Sequence, residues 1–158
     1  MRWLVNTGPR FGYPSQIYFL DKEIKMKIVD IQGIGPAYAQ KLAKAGIRTT
    51  GALLKKGASA EGRKEIEAMT GIGNSLILEW VNLADLYRIK GVGSQYADLL
   101  EEAGVDTVVE LSKRVANNLY GKMQQANQAK NLVNKMPILA QIEDWIKQAK
   151  KLPKVVTY

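Results

Sequence analysis

The chain has 158 residues, 46% hydrophobic and 24% charged, enough apolar mass for a real core and too much for wholesale disorder. It contains neither cysteine nor histidine, which excludes disulfides, the commonest zinc sites, imidazole-dependent triads and the usual proton carrier near neutral pH. Twenty-three Lys and Arg against 15 Asp and Glu leave a net charge of +8, a balance that either favours polyanionic partners or keeps a small protein soluble.

In chain order, residues 1–25 mix Gly8, Pro9, Gly12 and Pro14 with scattered aromatics and show no helical period. They read as an irregular arm, and Met26 is a natural start for the domain proper. Lys27 to Ile31 suits an extended segment. Pro36 sits at the first turn of a helix running to about Ala45, with Gly46 placed to end it in a left-handed conformation. Thr49 or Thr50 caps the next helix, and another covers about 60–69. Asn74 or Ser75 opens a longer one carrying Leu76, Ile77, Trp80, Val81 and Ala84 as a buried stripe. Further on, Thr107-Val-Val-Glu110 is a capping box. Pro137 precedes a helix from about Leu139 to Lys151 that Pro153 stops, and Val155 to Tyr158 suits an extended tail. No apolar run reaches the roughly 20 residues of a membrane span and the N-terminus lacks the core of a signal peptide, so a cytoplasmic protein with no membrane partner is expected.

The decisive feature is an internal repeat. IQGIGPAYAQKLAKAGIRTTGALL at 31–54 aligns without a gap on IKGVGSQYADLLEEAGVDTVVELS at 89–112. Gly33, Gly35, Tyr38, Ala39, Leu42, Ala45, Gly46, Thr49 and Leu53 recur as Gly91, Gly93, Tyr96, Ala97, Leu100, Ala103, Gly104, Thr107 and Leu111. LILEWVNLAD at 76–85 is similar to AQIEDWIKQA at 140–149 at a longer offset, with Trp80 answering Trp145 and the extra residues falling around Gln124 to Met136. This predicts two units, 26–87 and 88–158, packed as one body for want of a flexible linker.

Each copy carries a Gly-X-Gly turn ahead of a helix: Gly33-Ile34-Gly35-Pro36 and Gly91-Val92-Gly93-Ser94, each with an alanine four positions after the second glycine. The pattern resembles the helix-hairpin-helix motif, whose turn presents backbone amides to a nucleic-acid phosphate. GIGPAYAQKLAKAGIRTT, LILEWVNLADL and RIKGVG also resemble the uncharacterised bacterial domain of unknown function family 4332 over nearly all of residues 26–158. The resemblance implies an all-α fold of duplicated helix-hairpin-helix units of short helices, a SAM-like architecture, with the irregular arm in front. The first amides of a helix lack intrahelical partners and the helix dipole adds partial positive charge there, so such a turn suits an anion.

The expected nucleic-acid contacts are therefore Gly33, Ile34, Gly35, Ala37, Lys41, Lys44 and Arg48, with Lys55 and Lys56 close behind. The second turn offers Gly91, Val92, Gly93 and Ser94. Ala37 and Gln95 stand where DNA-binding hairpins often carry Lys or Arg. Asp98, Glu101, Glu102, Asp106 and Glu110 follow the second turn with no Lys or Arg between residues 95 and 112, giving one basic and one acidic unit. A third Gly-Ile-Gly lies at 71–73. For all three, the alternative is that glycine merely ends one helix and starts the next. Tyr38, Tyr96, Trp80 and Trp145 have core spacing, and Trp3 is the tryptophan expected to be exposed. Lys147, Lys150, Lys151 and Lys154 form a basic run at the last helix, read as a solvated face complementing the dipole.

Two functions follow as expectations. The first is a non-enzymatic module gripping nucleic acid without sequence specificity through the Gly-Ile-Gly turn. The second is a protein-interaction scaffold using the tandem turns as docking surfaces, the acidic unit meeting a partner. Glu65, Glu79, Asp85 and Glu143 form no convergent acid/base set, and no cofactor or metal is expected.

Overall fold

Proline fixes the φ of a first helical turn and leaves no amide unpaired there; α1 (Pro36–Lys44) carries Pro36 at that position. The computed structural model describes residues 26–158; the predicted arm over 1–25, including Trp3, lies outside the described residues. After α1 come α2 (Thr50–Gly57), α3 (Ala60–Thr70), α4 (Asn74–Leu86), α5 (Ser94–Glu102), α6 (Val108–Ser112), α7 (Ala116–Lys130) and α8 (Leu139–Lys151). The described residues are all-helical and contain no strand, only an isolated antiparallel bridge between Lys27 and Thr49. None of these helices is long and apolar enough to cross a membrane.

Several local expectations need correction. Ile28–Asp30 is a short 3-10 turn rather than extended chain, because the Asp30 carboxylate accepts the Lys27 amide at 3.1 Å and pulls the backbone round. Of the two threonines expected at the start of α2, Thr49 is the cap, its hydroxyl accepting the Ala52 amide at 3.0 Å. Asn74 opens α4 as expected, with Gly73 at the N-cap. Thr107 accepts the Glu110 amide at 3.3 Å, but Glu110 turns to Arg114 at 3.2 Å instead of reaching back, so only half the predicted capping box forms. The tail docks without joining a sheet: Thr157 donates its amide to the Ala58 carbonyl at 2.8 Å.

Packing contacts of the first half recur in the second. α2 lies on α4 and α1 on α3, as α6 lies on α8 and α5 on α7. α4 buries Ile77, Trp80, Val81 and Ala84, and α8 buries Ile142, Trp145, Ile146 and Ala149, each set spaced for a single helix face. The two tryptophans are the expected anchors, 0% and 2% exposed. A cation latches the end of the short first helix in both halves: Lys56 Nζ donates to the Ala45 carbonyl at 3.0 Å and Arg114 Nη2 to that of Gly104 at 2.7 Å. The halves differ where α3 meets α4 in the three residues Gly71 to Gly73, whereas α7 runs on to Lys130 and a longer loop follows. Asn127 pins that loop, exchanging hydrogen bonds with the Val133 backbone at 2.9 and 3.1 Å.

The halves are joined by a buried charge cluster and by the tail. Asp85, at the end of α4, accepts the Val108 amide at 2.8 Å on one oxygen and Arg88 Nε at 2.9 Å on the other. Arg88 Nη2 stands 2.8 Å from that second oxygen without hydrogen-bond alignment, and Nη1 donates to the Pro153 carbonyl at 2.9 Å. Arg63, also buried, holds the tail from the other half by donating to Thr157 O at 2.7 Å. One continuous apolar core runs through both halves, from Ile28 to Val156.

Candidate nucleic-acid interface

In each predicted turn the two glycines face outward and the residue between them turns in. Ile34 and Val92 are 4% and 5% exposed, so their side chains plug the core and any contact they make with a ligand is through the backbone. The first glycines have a structural task. Gly33 has φ +92° and Gly91 φ +97°, in the region that disfavours side chains, and a Cβ there would stand 3.5 Å from Trp80 Nε1 and 3.0 Å from Trp145 Nε1 respectively. Each turn is thus folded over the indole of its own unit.

The second glycines have none. Gly35 (φ −86°, ψ −176°) and Gly93 (φ −96°, ψ −168°) lie in extended backbone open to any residue, and a Cβ at either would meet nothing within 4 Å. Both occupy the N-cap, where Ser, Thr, Asp or Asn would hold the free amides better. Among the described residues no group accepts from the amides of Gly35, Ala37 or Tyr38, while Ala39 already bonds Gly35 O at 2.9 Å. The third turn differs: Glu67 places its own carboxylate there and accepts the Asn74 amide at 3.2 Å, so the chain fills that helix start itself.

The predicted cations are not gathered at the first turn. Lys41 is exposed, and its ammonium stands 6.0 Å from the Tyr38 ring centre. Lys44 is exposed at the opposite end of α1, about 13 Å from Gly35 at 1.5 Å per residue, and Arg48 is exposed beyond that helix, its carbonyl accepting the Ile28 amide at 3.2 Å. Lys56 is committed to the Ala45 carbonyl. Tyr38, expected in the core, is 36% exposed and meets Trp80 edge-on, with centroids 5.1 Å apart and planes at 66°. Tyr96 is half-buried, 5.4 Å from Trp145. The C-terminal lysines Lys147, Lys150, Lys151 and Lys154 are all exposed, as expected of a solvated face, and Lys151 lines a groove of about 660 Å³ together with Lys90 and Gly91. There Gln148 clamps the Lys90 backbone, accepting its amide at 2.8 Å and donating to its carbonyl at 3.1 Å. A 58-residue separation hid that pair from local reading.

The second unit is less acidic in three dimensions than along the chain. Glu102 pairs with Lys130 at 2.8 Å and Glu110 with Arg114. Asp98 and Glu101 remain half-buried. Burial pushes Asp98 up to about 6; burial, then the charges of Glu79, Asp98, Asp106 and Glu102, push Glu101 up to about 7. The folded protein therefore keeps protons that the unfolded chain releases near its ordinary values of 3.8 and 4.5. The associated stability is complete below those values and is lost as pH rises through 6 to 7. With no histidine to titrate in that window, the melting temperature should fall between pH 5 and pH 8. The double variant Asp98→Asn, Glu101→Gln should flatten that fall, and a wild-type melting temperature that rises over the interval would contradict the assignment.

The remaining carboxylates do not converge: Glu65, Glu79 and Glu143 are exposed, and Asp85 is spent on Arg88 and Val108. Among the described residues no group of three or more Asp and Glu is placed to hold a metal ion. The family model for a domain of unknown function, DUF4332, matches residues 32–152. The chain belongs to the DUF4332 family. That match covers both Gly-X-Gly turns and ends just beyond α8, so the whole described site lies in the DUF4332 domain. No curated protein and no solved structure matches the chain.

Proposed function

We propose that this DUF4332 domain is a non-enzymatic, cytoplasmic nucleic-acid-binding module that receives a backbone phosphate at the Gly33 to Ala37 turn, in the manner of a helix-hairpin-helix. The observation that carries the reading is Gly35. Nothing in the fold requires glycine at that position, and an absent side chain beside unclaimed amides lets an external anion approach the backbone. Lys41 stands on the helix that the turn opens, 6.0 Å from the Tyr38 ring centre, and the net charge of +8 favours a polyanion. Amide contacts to phosphate position a strand but read no bases, so binding is sequence-independent and weakens with salt. The absence of cysteine suits a reducing compartment.

The test is fluorescence anisotropy with labelled DNA at two salt concentrations. Gly35→Ala should melt with the wild type yet bind several-fold more weakly, and Lys41→Glu should weaken binding and flatten the salt dependence. Undiminished binding by both variants, or no binding at low salt, would refute the reading. A second reading, docking of a protein on the other unit, draws on the half-buried pair Asp98 and Glu101. It predicts a partner lost on charge reversal at those two residues and indifferent to Gly35.

A further inference from the structure

The two turns resemble each other in backbone and differ in what surrounds them. In the second half the loop after α7 reaches over the aromatic: Tyr96 donates its hydroxyl to the Lys135 carbonyl at 3.0 Å. In the first half the connection from α3 to α4 is only the three residues Gly71 to Gly73, too short to cover the equivalent ring. Tyr38 is left 36% exposed, and its hydroxyl has no partner among the described residues. The neighbouring positions follow suit. Val29, in the 3-10 turn packed on α1, is 48% exposed, whereas its counterpart Tyr87 is 7% exposed. Pro36 and Ala37, both exposed, stand where the second turn has Ser94 and Gln95.

The first turn is thus apolar, aromatic and cationic together. Tyr38 is the third residue of α1, and a long side chain there leans back toward the helix N-terminus, over the turn. The edge-on contact with Trp80 fixes the ring without stacking it flat, and Lys41 stands 6.0 Å from its centre. A ligand matching this surface carries negative charge and an accessible planar face at once. Duplex DNA offers the charge but keeps its base faces inside the stack; an unpaired strand offers both, and base-on-aromatic stacking tolerates any sequence.

We infer that Tyr38 is a base-stacking platform and that the module prefers single-stranded nucleic acid to duplex. This rests on the proposed phosphate grip at the same turn. The experiment measures wild-type protein and four variants against labelled oligodeoxythymidylate, oligouridylate of equal length, and a duplex. Wild type should bind one or both single strands more tightly than the duplex, the tighter of the two naming the sugar. Tyr38→Ala should weaken that strand about ten-fold or more and leave the duplex unchanged. Tyr38→Phe keeps the ring and should bind as wild type. Tyr38→Leu, which preserves apolar contact with Trp80 but has no π face, should behave as Tyr38→Ala and guards against a folding effect.

Equal losses on single strand and duplex would overturn the inference, as would a Phe variant as weak as the Ala variant. If Lys41→Glu weakens every probe while Tyr38→Ala changes none, stacking fails and the phosphate grip survives. If Lys41→Glu changes none either, both fail.

Discussion

Asp85→Ala should cost about 3–5 kcal/mol of folding stability, the expected result of breaking a buried ion pair by removing one partner. The variant strands two groups. Arg88, whose side chain is 2% exposed, keeps its charge with only the Pro153 carbonyl for company, and the Val108 amide at the start of α6 loses its acceptor. Burial itself holds the Asp85 carboxyl above its ordinary range, against the pull of Arg88 and the Val108 amide, so the pair is not a large net source of stability. The double variant Asp85→Leu, Arg88→Met should therefore recover much of the loss, since apolar replacements of a buried pair are often neutral or better. Denaturant unfolding measures both: a lower midpoint at unchanged slope for the single variant and partial restoration for the double. A single variant within 1 kcal/mol of wild type would contradict the cluster's place between the halves.

Trp80→Ala should cost a similar amount, about 3–5 kcal/mol, from lost transfer energy and the cavity left behind. Its effect should also be local in a way that a generic core truncation is not. The Trp80 indole lies under Gly33 and supports the edge of Tyr38, so the first turn loses its floor while the second keeps Trp145. Hydrogen exchange of the Ile34 amide, bonded to Ile31 O at 3.1 Å, should speed up more than that of Val92, bonded to Ile89 O at 3.1 Å. Trp145→Ala should reverse the pattern. Equal acceleration at both turns in both variants would mean that the halves open together and that the indoles do not support their turns separately.

Much of this was legible in the sequence because it is written in local chemistry. Proline at position 36, glycines at 46 and 104 and prolines flanking the last helix act through their own φ angles and amides, and the helix bounds follow. Trp80 and Trp145 could be placed in the core because apolar stripes at helical spacing must be buried together. The Gly-X-Gly turns and their repetition could be found as well.

What the chain order could not reveal depended on which distant groups met. Glu110 abandons its predicted cap for Arg114, and Glu102 finds Lys130. The acidic second unit is thereby partly neutralised by residues beyond the run that was read. Lys44 follows the motif closely in sequence but rises along α1 away from the turn, so sequence proximity overstated the basic site. Ile34 and Val92 belong to the motif and yet to the core. Tyr38 and Tyr96 share one pattern and have different exposures, because a three-residue connection leaves one ring open and a longer loop covers the other. The physical division is between short-range and long-range terms. Backbone propensity, capping and amphipathic period are settled within a few residues and were determined by the sequence alone; ion pairing, ring exposure and the free face of each turn are settled by packing partners tens of residues away, and only the tertiary structure decided them.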